Sequence, residues 1–146
     1  MDVPARVVVE DATQGGKGLD PGTRRVAVAI AEALFSTAAR PAPEDRLGWL
    51  ADDLDAFFAH AGPRSRGVFV ACAGVIEWCA APLAGVWGRF SSLPLARRAE
   101  VLHRLEASPA ALTFFAAKTV LCIVWYEHPA SWADTGFDNQ CLRRSR

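Results

Sequence analysis

Glu77 and Lys118 are the two side chains whose positions most suggest acid–base chemistry. Each is an interior charge in a long apolar run, GVFVACAGVIEWCAAPLAGVW for Glu77 and AALTFFAAKTVLCIVWYEH for Lys118. Burial of a carboxyl group raises its pKa, as a general acid requires. The two runs could instead pack together and pair the two charges. We expect Glu77 to make a structural or interface contact rather than to act as a catalytic acid.

The three histidines have simpler explanations than catalysis. His60 ends a predicted helix, where the helix dipole favours a cation, and His128 precedes a proline at another helix end. His103 falls on a polar helix face. We therefore assign no catalytic residue to this chain.

The chain also lacks the spacing of a metal or nucleotide site. Its four cysteines include no C-x-x-C pair, so zinc is not expected. Residues 15–18, GGKG, lack both the hydroxyl after the lysine and the preceding strand of a phosphate loop. Sixteen basic residues balance sixteen acidic ones, so the chain has no net positive charge to attract nucleic acid. We expect no metal, no cofactor and no nucleic-acid partner in this chain.

The spacing of apolar residues and the positions of helix-starting and helix-ending residues predict five helices and no convincing strand. Asp20 and Pro21 begin the first helix, and Gly62-Pro63 ends the second. In the fourth, Ser91 or Ser92 is a candidate cap, and its apolar face comprises Leu95, Ala99, Leu102 and Leu105. The five segments are residues 21–38, 44–60, 67–87, 95–106 and 110–128.

These elements predict an all-α, single-domain bundle of about five helices. Hydrophobic residues make up 51% of the 146 residues and charged residues 22%, which is a globular composition. Residues 1–18 form a flexible or extended arm, and residues 19–138 form the helical domain with an aromatic-rich C-terminal loop. Residues 139–146 are a basic tail.

Two segments resemble membrane or export signals. The run 67–87 is long enough to span a bilayer, but Glu77 and Pro82 interrupt it, so we expect a core helix and no membrane insertion. Residues 23–42 follow the order of a twin-arginine export signal. Glu32 interrupts their apolar stretch and a helix start precedes it, so we expect a structural helix and a cytoplasmic protein.

The two nearly all-apolar helices predict an interface. Three amphipathic helices cannot easily cover both, and five tryptophans are many for this length. A large permanent interface would cover the remainder, and aromatic side chains are favoured anchors there. Alternatively, the same helices line a pocket in a free-standing ligand-binding or homodimeric domain.

The order of three segments resembles a known family. LDPGTRRVAVAIAEALF comes first, GRFSSLPLARRAEVLHRLEAS follows the long apolar helix, and WYEHPASWADTGF closes the domain. Over residues 19–138 this order is similar to that of gluconate 2-dehydrogenase subunit 3, the helical small subunit or fused domain that accompanies FAD-dependent oxidoreductases of the glucose-methanol-choline type.

The resemblance implies a non-catalytic accessory subunit. In that family the large subunit holds FAD and the catalytic base, and the small subunit packs helices on it and stabilises it. The expected partner is therefore a large FAD-dependent dehydrogenase or oxidase acting on an alcohol group of a sugar, polyol, long-chain alcohol or steroid. The small subunit of exported members carries a signal peptide, which we do not identify in this chain.

The resemblance and the apolar runs together indicate which residues contact the partner. The segments Phe90–Leu93 and Tyr126–Phe137 match the most characteristic parts of the family. The predicted interface residues are Glu77, Trp78, Trp87, Phe90, Leu93, Trp125, Tyr126, His128, Trp132 and Phe137. An independent enzyme using Glu77, Lys118 or a histidine is the remaining alternative.

Overall fold

The structure is a computed structural model that describes residues 18–136, and every regular element in this range is helical. The all-α prediction is therefore confirmed. The helices are α1 (Pro21–Phe35), α2 (Glu44–Val75), α3 (Ala81–Leu83), α4 (Leu95–Glu106), α5 (Ala111–Glu127) and α6 (Ala130–Thr135). The predicted arm up to residue 17, the basic tail and Phe137 lie outside the described residues.

Helix α1 begins as its sequence predicts. The Asp20 carboxylate accepts hydrogen bonds from the Thr23 backbone N–H, at 3.0 Å, and from the Thr23 hydroxyl, at 2.5 Å. Pro21 occupies the first turn, where its missing N–H costs nothing. These hydrogen bonds stabilise the carboxylate and hold the pKa of Asp20 below its ordinary value.

Helix α2 contains the break predicted at Gly62-Pro63. Gly62 has φ 85° and ψ 168°, a conformation that glycine adopts without strain. Pro63 has no N–H with which to continue the hydrogen-bond ladder. The second and third predicted helices are therefore joined end to end across a kink at these two residues. Phe58 and Phe69, on either side of the kink, contact each other with ring centroids 5.1 Å apart.

The second half of α2 ends earlier than predicted. A π-helical turn, Ile76–Ala80, follows α2 and leads into α3, which ends at Leu83 rather than near Trp87. Gly85, at φ 75°, then turns the chain away from the helix axis. A π turn holds one more residue than an α turn, and both Ile76 and Glu77 point into the protein here.

Helix α4 differs from its prediction at its N-terminus and on its inner face. Phe90–Ser92 forms a short 3₁₀ turn, and Pro94 precedes the helix without a side-chain cap. Ala99, which was predicted on the apolar face, is exposed, and Val101, which was assigned to neither face, is buried. The inner face follows Val101, Leu102 and Leu105 because α4 is rotated to pack on α1, α5 and the π turn.

Helix α1 lies at the centre of the core. Ala27, Ile30 and Ala31 are fully buried, and α1 contacts α2, α4 and α5. Small side chains let helix backbones approach closely, so the alanines allow three neighbours around one short helix. Larger side chains fill the surrounding core, namely Leu50, Leu54, Phe69, Phe90, Phe114, Leu121 and Val124.

The helical run Glu44–Leu83 has the length and composition of a membrane span. The mean hydropathy of its most apolar stretch is 1.4, and 33% of that stretch is buried within the protein. The core helix of a soluble protein, which is mostly buried, can have the same length and composition. The prediction of no membrane insertion stays a prediction.

Replacing Asp20 by alanine is expected to lower the free energy of unfolding by about 1 kcal/mol, because the first turn of α1 loses its cap. Asp20→Ser should retain most of it, since serine also caps. The pKa of Asp20 is lower in the folded protein than in the unfolded chain. The carboxylate therefore stabilises the fold fully at pH values above the pKa of the unfolded chain, and this stabilisation is lost as the pH falls through the pKa of the folded protein. Urea unfolding of the three proteins at neutral and acid pH measures both effects. Equal stability of Asp20→Ala and the parent would contradict the cap.

Candidate functional site

Of the ten predicted interface residues, nine lie in the described range and differ in exposure. Glu77, Phe90 and Trp125 are buried, and Leu93 and His128 are partly covered. Phe137 lies outside the described residues. The exposed members are Trp78, Trp87, Tyr126 and Trp132.

Glu77 makes a structural contact within the chain. Its carboxylate accepts hydrogen bonds from the Ser91 backbone N–H, at 2.9 Å, and from the Ser91 hydroxyl, at 2.7 Å. The side chain thereby ties the π turn to the loop before α4. Glu77 is 5% exposed and makes a structural contact, one of the two roles expected for it, and its prediction as a partner contact stays a prediction.

Lys118 does not pair with Glu77. Its ammonium group lies 2.6 Å from a carboxylate oxygen of Glu106 at the end of α4. The two predicted apolar helices do not bring these charges together, because Glu77 points towards Ser91 instead. The structure therefore contains no Glu77–Lys118 dyad for acid–base chemistry.

Phe90 and Trp125 belong to the core rather than to a contact surface. Phe90 is fully buried beneath the loop that precedes α4. The Trp125 indole stacks on Phe35 with ring centroids 4.2 Å apart and planes nearly parallel. The bundle encloses most of both side chains, and their prediction as partner contacts stays a prediction.

Arg46 is a buried cation that the sequence did not single out. Its guanidinium lies over the Trp125 ring at 4.1 Å and donates to the Trp125 carbonyl at 3.2 Å. It also donates to the Ser131 hydroxyl and, at 2.5 Å, to the Asp134 carboxylate. These contacts fasten α6, a helix where a loop was predicted, to the first turn of α2.

A cavity of about 460 Å³ lies beside this cluster. Its walls include Phe35, Trp125 and Tyr126, with Arg46 and His128 among its polar residues. A volume of this size suits a small ligand. The cations Arg40 and Arg46 are matched by two acids, Asp45 and Asp134, so the walls favour neither an anionic nor a cationic ligand.

Helix α5 exposes a second apolar face, which we call the α5 stripe. It comprises Leu112, Phe115, Ile123 and Tyr126. Their spacing of three, eight and three residues places them on one side of the helix. Leu112 is 77% exposed, although Phe114, Ala117, Leu121 and Val124 on the opposite side are buried. Of these residues only Tyr126 was predicted, because an all-apolar helix carries no pattern to distinguish its two faces.

A second exposed group, the Trp87 patch, comprises Trp78, Leu83 and Trp87. Trp78 and Leu83 lie on the π turn and α3, and Trp87 lies in the loop that follows. The Arg89 guanidinium lies over the Trp78 ring at 4.4 Å. The patch is therefore apolar at its centre and cationic at its edge.

Residues 18–136 bring together little chemistry of other kinds. No group of three or more His, Cys, Asp or Glu side chains in this range could hold a metal ion. The His60 ring donates to the Ala56 carbonyl, and the His128 ring accepts from the Ala130 N–H. Burial raises the pKa of the Cys72 and Cys122 thiols, which lowers their reactivity.

Comparisons of the chain with protein-family models, with curated proteins and with solved structures found no match. The two exposed apolar surfaces and the cavity therefore carry the functional argument together with the resemblance drawn from the sequence.

Replacing Glu77 by alanine is expected to lower the free energy of unfolding by about 3 kcal/mol, because two hydrogen bonds to a charged acceptor are lost. Glu77→Gln should lie between this variant and the parent, since an amide oxygen still accepts one bond. Glu100→Gln is the matched control, because its pairs with Arg97 and Arg104 are exposed and contribute little to stability. Urea unfolding distinguishes them, and equal losses for Glu77→Ala and the control would count against the tie.

Replacing Arg46 by methionine is expected to cost about 2–3 kcal/mol and to release α6. The lower end of the range for a broken buried ion pair applies because Asp134 is half exposed. Arg97→Met removes an exposed arginine and should cost much less than Arg46→Met. Amide hydrogen exchange over residues 130–135 should quicken only in Arg46→Met. Unchanged protection there would show that α6 is held by other contacts.

Proposed function

We propose that the chain is a non-catalytic accessory subunit that binds a larger protein through the α5 stripe. The observation that carries this proposal is the exposure of Leu112, Phe115, Ile123 and Tyr126 on a helix whose opposite face is already buried. An apolar stripe on this scale is costly in water and is typical of a subunit contact.

The charges around the α5 stripe favour an apolar partner surface. Between Leu112 and Tyr126 the only charged side chain of α5 is Lys118, and its ammonium group is engaged by Glu106. A partner that covered the stripe between Leu112 and Tyr126 would therefore bury no unpaired charge from that length of α5. Buried unpaired charges weaken association strongly, so this arrangement suits a permanent contact.

The proposed partner is a large FAD-dependent oxidoreductase of the glucose-methanol-choline type that acts on an alcohol group. The order of the segments over residues 19–138 supports this choice. In the proposed complex the partner binds FAD and supplies the catalytic base, and this chain stabilises it in the cytoplasm. Sugar, polyol, long-chain alcohol and steroid substrates all fit the proposal, since the pocket belongs to the partner.

A free-standing ligand-binding domain is the second candidate, favoured by the cavity beside Trp125. The accessible Phe35 and Tyr126 rings form an apolar wall of this cavity, against which an aromatic or alicyclic ligand would pack. Because the cations and acids of the walls balance, a neutral ligand suits this cavity.

Co-purification tests the proposal. The tagged chain is expressed with its neighbouring genes, and the absorption spectrum and composition of the product are recorded. We expect a second, larger chain and a flavin spectrum. Phe115→Asp should lower recovery of the partner at least tenfold, because a charge would be buried against an apolar surface. Ala99→Asp introduces the same charge at an exposed site on α4 and should leave recovery unchanged.

Each alternative result decides between the candidates. A colourless, folded chain recovered alone would overturn the accessory-subunit proposal, and a bound small molecule in it would favour the cavity. Equal loss of partner in Phe115→Asp and Ala99→Asp would place the contact elsewhere than the α5 stripe.

A further inference from the structure

The bend of α2 is not fixed by the helix itself. Pro63 has no N–H, and Gly62 lies at φ 85° and ψ 168°, so the hydrogen-bond ladder is interrupted between the two halves of α2. Residues 59–68 are mostly exposed, and a Cβ added to Gly62 would meet no atom of the described residues within 4 Å. The angle between the two halves therefore depends on contacts made with other parts of the chain.

One peptide unit, which we call the strap, bonds to both halves of α2. It is the peptide bond between Gly18 and Leu19. The Leu19 N–H donates to a carboxylate oxygen of Asp55 at 2.6 Å, and the Arg66 guanidinium donates to the Gly18 carbonyl at 2.9 Å. Asp55 precedes the bend and Arg66 follows it. The strap therefore spans the point at which the helix ladder is interrupted.

The Asp55 end of the strap is anchored to the core. The Leu19 side chain is 8% exposed and belongs to the same buried cluster as Phe58 and Phe69, which contact each other across the bend. Arg24 of α1 also pairs with the Asp55 carboxylate, at 3.3 Å. The strap is thus a fixed point to which Arg66 holds the second half of α2.

The close approach of the strap to α2 requires glycine at position 18. A Cβ there would lie 3.0 Å from the Cγ atom and from both carboxylate oxygens of Asp55, which is closer than ordinary van der Waals contact. Any other residue would displace either the carboxylate or the strap. Gly18 ends the GGKG segment, so this glycine has a structural reason that needs no phosphate loop.

We propose that the strap locks a hinge at Gly62-Pro63, and that displacing the strap lets the two halves of α2 change their angle. Hinges are short segments that absorb changes in φ and ψ, and glycine absorbs them with little strain. The half before the hinge carries Arg46, which holds α6 beside the cavity, and the half after it leads to Glu77, which holds the loop before α4. A change of angle moves these two anchored parts relative to each other. The inference does not depend on the accessory-subunit proposal.

Amide hydrogen exchange on the unaltered chain is the first test. Because the Leu19 N–H donates to a carboxylate, it should exchange at least about tenfold more slowly than in an unfolded peptide of the same sequence. In Gly18→Ala, which leaves every charge in place, its exchange should quicken about tenfold. An unprotected Leu19 amide in the unaltered chain would overturn the proposal.

Electron–electron distance measurements on the full chain report the angle. Spin labels at Gly48 and Ala71 occupy one exposed position on each half of α2. Attachment through a ketone-bearing amino acid leaves the four cysteines unlabelled. We expect one narrow distance distribution in the parent and a broader or shifted one in Arg66→Met and in Gly18→Ala.

Each variant has a matched control on α2. Arg64→Met removes an exposed arginine two residues from Arg66, and Gly67→Ala adds a methyl group where none of the described atoms lies within 4 Å. Both controls should keep the distribution of the parent. Unchanged distances in Arg66→Met and Gly18→Ala would overturn the proposal and assign the bend to core packing. Equal broadening in a variant and its control would also overturn it, because the effect would not come from the strap.

Discussion

The packing of α1 among three other helices is the contact on which this bundle depends. Ala27, Ile30 and Ala31 are fully buried between α2, α4 and α5. Each helix around α1 buries only the side that faces α1 and the other helices, and for α5 this is mainly the side that faces α2. For the amphipathic α4 this is sufficient, since its outer side is polar. For α5 it is not, and its outer side stays apolar in water.

Buried polar side chains join the elements that the core alone does not fix. Glu77 holds the π turn to the loop before α4, and Arg46 holds α6 to the start of α2. In both cases a charge lies inside the protein only because several hydrogen bonds replace its water. These two ties position the loop that carries Trp87 and the helix that carries Trp132, so the exposed aromatic residues sit on anchored elements.

The exposed apolar residues form two surfaces of different chemistry. The α5 stripe lies along a helix and has one charge, already paired, within its length. The Trp87 patch lies on a turn and is bordered by arginines. We propose a protein partner for the α5 stripe. In the described residues the titratable groups serve mainly as structural ties, which agrees with a binding role.

Several helix ends are determined by local chemistry and could be predicted. Asp20 caps α1, Gly62-Pro63 breaks α2 and Pro129 follows the end of α5, each acting within a few residues of itself. The sequence alone could not determine which side of an all-apolar helix faces water, because such a helix carries no polar stripe. Nor could it place Arg46, whose partners Ser131 and Asp134 lie 85 and 88 residues away. Those features depend on how the helices pack together, which only the tertiary structure decided.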